Sequence, residues 1–166
     1  SNFRMPEHMP GNARRAALTS GCPGRIRLLN GAFDVLDQSS LLEEIEQTIN
    51  QGERGWLSTV NVAILMSMRH DPALQSFVDR SRWIIADGQP LVWYSRLDTP
   101  PLPERVAGID LVLPLCAWAE ASGHSVYLLG ATAHGNARLR SLLAARFPKL
   151  RLAGREWAEP LPTELL

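Results

Sequence analysis

The feature that most constrains this chain is a recurring unit: a short apolar run, then small or polar residues, then a stretch with helical spacing. The runs stand at 25–29 (RIRLL), 55–60 (GWLSTV), 83–86 (WIIA), 125–129 (SVYLL) and 150–153. Runs that short, bounded by turn residues, suit strands, because a helix needs more residues to present a face. Asn30-Gly31 after the first run is a turn or short hairpin signal. Helices are expected between the others. One begins at Ser39, with Ser39 or Ser40 as cap, Glu43 as capping-box partner, and Leu41, Leu42, Ile45 and Ile49 along one face. A second covers 61–68; Asp71-Pro72 breaks it and starts another, since proline is tolerated at a first helical position. Further helices are expected over 89–96, from Gly108 or Asp110 to Ser122 with Gly123 as the stop, and over 135–147. Strands alternating with helices predict an α/β fold, a parallel sheet flanked by helices on both faces.

At 166 residues the chain suits one domain, and its 45% apolar content agrees with a globular one. Lys plus Arg and Asp plus Glu number 17 each, which leaves no electrostatic case for a nucleic-acid partner. Cys22 and Cys116 lie far apart and in no CxxC, so no cysteine zinc site or disulfide framework is expected, as suits a cytoplasmic protein. No apolar run approaches the roughly 20 residues that span a bilayer, so membrane contact is expected to be peripheral. Residues 1–24 carry Pro6, Pro10, Gly11, Gly21, Pro23 and Gly24 without periodicity and read as a flexible lead. Arg4, Arg14, Arg15, Arg25 and Arg27 make the beginning basic. That cluster reads either as a solvated tail or as a weak attraction to phosphate or anionic lipid heads. Residues 25–166 form the α/β domain in this reading.

In open parallel sheets ligands sit beyond the carboxyl ends of the strands. Thr59 and Asn61 follow the 55–60 run, Asp87 and Gly88 follow WIIA, and Gly130 opens the loop GATAHG after SVYLL. Asp87 has two readings: a helix N-cap, or a carboxylate at the mouth of a pocket able to act as general base, beside a glycine that lets a ligand approach the backbone. Thr59 and Asn61 either cap the next helix or hold a ligand by hydrogen bonds. The 130–135 loop can cradle a phosphate at a helix N-terminus, although it is neither GxGxxG nor a P-loop. His134 lies there, and exposed loop histidines usually do nothing; His70 and His124 sit near helix ends. Arg105, in a proline-rich loop beside Glu104, either makes a surface salt bridge or forks onto a phosphate. No Asp-x-Asp pair or close His/Asp/Glu cluster suggests a metal, and no cofactor is expected.

Three of these stretches occur in a telling order: TVN at 59–61, ADG at 86–88 and PERVAGIDL at 103–111. With the WY-S-R helix between, LLG at 128–130 and FPKL at 147–150, the chain from about Arg25 to Gly154 resembles the WecG/TagA/CpsF glycosyltransferase family. The resemblance implies a Rossmann-like fold and an inverting, metal-independent enzyme. Such an enzyme moves a hexose-type sugar (N-acetylmannosamine, its uronic acid, or glucose) from a UDP-sugar to an undecaprenyl-diphosphate-linked acceptor. Its setting is cell-surface polysaccharide or teichoic acid biosynthesis, at the inner face of the bacterial membrane, and family members self-associate, which implies a homo-oligomer. Carried over, Asp87 is the general base, Thr59 and Asn61 hold the reacting groups, and Arg105 faces the diphosphate of the leaving UDP. Gly88, Gly108 and Asp110 match the motifs, and Gly130 borders the nucleotide.

The chain departs from the family after Gly154. Members continue with further α/β units, including a G-x-P-x-Q-E segment, and a basic C-terminal appendage that helps close the site and meet the membrane; this sequence shows neither and reads as truncated. A non-catalytic sugar-nucleotide-binding domain of the same fold is therefore the alternative. A Rossmann oxidoreductase is disfavoured, because GxGxxG and its acidic ribose partner are absent.

Overall fold

A computed structural model describes residues 24–97, 100–130 and 132–156; the lead over 1–23 and the stretch after 156 lie outside the described residues. In chain order the elements are β1 (Arg25–Leu28), β2 (Gly31–Asp34), α1 (Gln38–Asn50), β3 (Leu57–Val60), α2 (Val62–Met68), α3 (Pro72–Asp79), β4 (Trp83–Ala86), α4 (Gln89–Ser95), α5 (Gly108–Ser122), β5 (Ser125–Leu129), α6 (Ala133–Arg146) and β6 (Arg151–Glu156). The expected α/β fold forms, with its strands hydrogen-bonded in three pairs. β3–β4 and β5–β6 are parallel, as the alternation with helices requires; β1–β2 is an antiparallel hairpin closed at Leu28 and Gly31. The carbonyl of Gly24 accepts the Val35 N–H at 3.1 Å, so Gly24 belongs to the hairpin rather than to the lead. The hairpin is tied to β4 by Asp34, which is buried, pairs with Arg25 at 2.5 Å and accepts the Ile84 N–H at 2.7 Å.

β4 is the centre of the packing, and all four of its residues are buried. Alternation along the strand sends Ile84 and Ala86 to one side, where they meet Val60, Leu65, Met68, Val78 and Leu91. Trp83 and Ile85 face the other way, onto Leu41 of α1 and Leu111 of α5. Helices thus cover both faces, which explains why WIIA reads as a continuous apolar run. Each such side chain contributes about 1.5–3 kcal/mol by leaving water. α5 is apolar on a second side: Val112 and Cys116 pack with Leu128, Leu143, Phe147 and Leu152. That contact joins the β5–α6–β6 unit to the rest.

The helix starts differ from expectation. α1 begins at Gln38 and is capped by Asp37, not Ser39 or Ser40. Asp37 Oδ1 accepts the Ser40 N–H at 2.8 Å and the Ser39 hydroxyl at 2.9 Å. The Ser40 N–H above all holds the Asp37 carboxyl below its ordinary range. A carboxylate is a stronger acceptor than a hydroxyl and suits the positive end of the helix, so Asp37 takes the position. α6 likewise starts at Ala133, ahead of Gly135, because Thr132 Oγ1 accepts the Gly135 N–H at 3.1 Å.

Candidate active site

Parallel pairing brings the ends of β3 and β4 level, with Thr59 opposite Ile85 and Val60 opposite Ala86. Two backbone bonds extend the ladder past the strands. Val60 O accepts the Asp87 N–H at 3.0 Å, and Ala86 O accepts the Val106 N–H at 3.1 Å. The second bond holds the 103–107 loop against the end of β4. It also delivers the start of α5 onto β3: a Cβ added at Gly108 would stand 3.1 Å from Thr59 Cγ2 and 3.4 Å from its Oγ1. Only glycine allows that approach without a shift. Thus TVN, ADG and PERVAGIDL, far apart in the chain, meet at one end of one strand pair.

Within this group the individual roles separate. Asn61 caps α2, its Oδ1 accepting the Ile64 N–H at 2.9 Å. Thr59 caps nothing; it sits on β3 under Gly108. Asp87 is not the cap of α4: Gly88 holds that position, and no side chain caps the helix. The half-buried Asp87 carboxylate makes no hydrogen bond or ion pair among the described residues, so it stands at the mouth uncommitted. Gly88 is in ordinary extended backbone (φ 172°), and a Cβ there would meet only Pro90 Cδ at 3.8 Å. The fold does not require glycine at 88; what glycine provides is bare backbone beside Asp87.

Arg105 does make an ion pair, with Asp110 rather than with the adjacent Glu104. Its Nη2 lies 3.2 Å from Asp110 Oδ2, and the two side chains are 45% and 50% exposed. Glu104 turns away to accept the Gln38 N–H at 2.9 Å, pinning the loop to the start of α1. Local spacing gave no sign of that contact, since its partners are 66 residues apart. Gly130 ends β5 with φ at +99°, a conformation that favours glycine. Its carbonyl accepts a hydrogen bond from the buried Asn136 side chain at 3.1 Å, a positioning contact that the sequence reading missed. No hydrogen bond among the described residues links the Gly130 loop to the Asp87 group; α5 is the bridge between them. His134 is exposed in the first turn of α6, and His124 stacks on Trp118 at 4.8 Å. Among the described residues no group of three His, Cys, Asp or Glu is arranged to hold a metal ion.

An uncommitted carboxylate and an exposed arginine beside the ends of parallel strands stand where α/β domains hold their ligands. Residues 26–162 match the glycosyl transferase WecG/TagA/CpsF family, and the chain belongs to that family. It is similar to the N-acetylglucosaminyldiphosphoundecaprenol N-acetyl-beta-D-mannosaminyltransferase of Bacillus spizizenii, with 27% identity over 117 residues, 70% of this chain and 46% of that protein. The enzyme of the same name from Staphylococcus aureus is 26% identical over 131 residues, 78% of this chain and 52% of its own length. The Bacillus subtilis enzyme of that name is 27% identical over 117 residues, 70% of this chain and 46% of its length. The chain thus spans about half the length of the curated relatives it matches.

Proposed function

We propose that this chain carries the catalytic core of an inverting glycosyltransferase. The donor in this reading is a UDP-sugar, with N-acetylmannosamine favoured by the names of the relatives over its uronic acid or glucose. The acceptor is a sugar on undecaprenyl diphosphate, met from the cytoplasmic side of the membrane. The acceptor hydroxyl oxygen bonds to the anomeric carbon from the face opposite the UDP. The carbon–oxygen bond to UDP breaks, and its electron pair leaves on the diphosphate. The Asp87 carboxylate takes the acceptor's proton, a role worth about 10²–10⁴-fold in rate. Arg105 meets the charge that develops on the diphosphate, with Thr59, Asn61, Gly88, Gly108 and Asp110 shaping the pocket and Gly130 at the nucleotide.

The observation that carries this reading is the meeting of three separate motif segments around one unpaired carboxylate. Melting curves with UDP, UDP-glucose and UDP-N-acetylmannosamine, beside NAD, test it. A ligand that binds only the folded state raises the melting temperature by mass action. A rise with the UDP compounds and none with NAD is expected. A rise with NAD alone would remove the reading.

A further inference from the structure

The loop that carries Arg105 is tacked down at every second residue. Its start is held by α4, where the buried Ser95 Oγ accepts the Leu102 N–H at 2.9 Å. Its end is held by β4, where Ala86 O accepts the Val106 N–H at 3.1 Å. Leu102 and Val106 are buried, whereas Pro103, Glu104 and Arg105 between them are exposed. The exposed middle is tied to α1 by Glu104, whose Oε1 accepts the Gln38 N–H at 2.9 Å. That N–H suits a carboxylate. Gln38 is the first residue of α1, and the first N–H groups of a helix have no partner within it. Asp37 satisfies the Ser40 N–H, and Glu104 satisfies the one at Gln38. Both anions stand at the positive end of a 13-residue helix, where negative charge is stabilised.

We propose that Glu104 is a positioning residue for the diphosphate of the donor: anchored on α1, it fixes the backbone that presents Arg105 and keeps its own carboxylate off that guanidinium. The proposal rests on the role given to Arg105 in the glycosyl transfer above. With residues 104 and 106 both fastened, the Arg105 backbone is held from either side. Only its side chain then has to move between Asp110 and a diphosphate. Order present before binding is order that the ligand need not impose. The second effect is electrostatic. Released from α1, Glu104 would be a second carboxylate beside Arg105, and with Asp110 it would compete with the diphosphate for one cation.

Isothermal titration of the 166-residue chain with UDP tests the proposal. Glu104→Ala is expected to weaken UDP binding by about five- to tenfold. Glu104→Gln keeps an acceptor for the Gln38 N–H and is expected to bind within about twofold of the parent. Gln38→Pro removes the donor instead. Proline suits the first position of a helix, and Asp37 before it is already extended (φ −84°, ψ 173°), as a residue preceding proline prefers. That variant keeps the Glu104 carboxylate and is expected to lose at least as much affinity as Glu104→Ala. In an Arg105→Ala background Glu104→Ala is expected to have no further effect, because the group that Glu104 positions is gone. A merely structural Glu104 would lower the melting temperature and leave this affinity, read well below melting, unchanged. Parent-like UDP binding by Glu104→Ala or Gln38→Pro overturns the proposal. So does a glutamine variant as weak as the alanine one, or an undiminished effect of Glu104→Ala with Arg105 gone. If Gln38→Pro does not fold, as circular dichroism will show, the two Glu104 variants decide alone. A parent that binds no UDP removes the donor site itself, and the proposal with it.

Discussion

Replacing Gly108 with alanine probes the contact on which the site is built. The new Cβ would lie 3.1 Å from Thr59 Cγ2 and 3.4 Å from Thr59 Oγ1, so one side must yield by a few tenths of an ångström. Neither yields freely. Thr59 is β-branched and held in the ladder opposite Ile85, and α5 is anchored by Leu111 in the core and by the Val106 bond to Ala86. Overpacking of this kind costs about 1–3 kcal/mol. Against it stands a gain of up to about 1 kcal/mol for alanine over glycine in a helix. The expected net loss is about 1 kcal/mol, a fall of roughly 2–4 °C in melting temperature for a domain of this size. In a Thr59→Ser background the offending methyl is gone, so Gly108→Ala becomes neutral or stabilising. Denaturant unfolding of the four proteins should give a coupling of about 1–2 kcal/mol, above the ~0.3–0.5 kcal/mol scatter of independent sites. Additive effects would show that Gly108 does not rest on Thr59, and the assembled site would lose its foundation.

Asp87→Asn is expected to cut transfer of the sugar by about 10²–10⁴-fold while leaving the UDP-induced melting shift intact; retained turnover would dismiss Asp87 as the base. Arg25→Ala strands the buried Asp34 carboxylate and is expected to cost about 3 kcal/mol, read by urea unfolding. The Asp37 carboxyl lies below its ordinary 3.8 in the folded chain, so its contribution is present above pH 3.8 and lost as pH falls through the lower folded value. Asp37→Ala should therefore weaken the protein at neutral pH and remove that part of its acid sensitivity, as melting curves across pH will show. Burial raises the Cys116 thiol above its ordinary 9.0, so in a Cys22→Ser background a thiol reagent at pH 8 should react only after unfolding in urea.

Much of this was legible in the chain because it is written in local pattern. WIIA is buried on both sides, Pro72 starts α3 and Gly123 ends α5, all from residues acting within one turn of themselves. What local pattern misses is competition and distance. Asp37 displaces Ser39 and Ser40 as a cap only because its charge outcompetes them, and Glu104 leaves Arg105 for a helix start far away in sequence. The site followed the same division. Motif order singled out Thr59, Asp87 and Gly108, which the fold brings to one end of β3–β4, yet a single sequence could not show that Asp87 makes no bond among the described residues, that Asn61 caps α2, or that Asn136 donates to the Gly130 carbonyl.

In the proposed reaction the Arg105–Asp110 pair holds the guanidinium near Asp87 while leaving it free to move. One contact between two half-exposed side chains is worth at most about 1 kcal/mol, so little opposes its release. A diphosphate offers the same guanidinium several oxygens, and charge-assisted bonds to them are roughly twice as strong as neutral ones. Asp110 sits in the first turn of α5, where a carboxylate is also stabilised by the helix, so it does not become an orphan when Arg105 moves. In that proposal Asp110 parks the cation beside the mouth and stays favourable after letting it go. As the proposed base, Asp87 by contrast gains from being free beforehand, because a base already bonded to a neighbour would have to give up that bond in the step that needs it most.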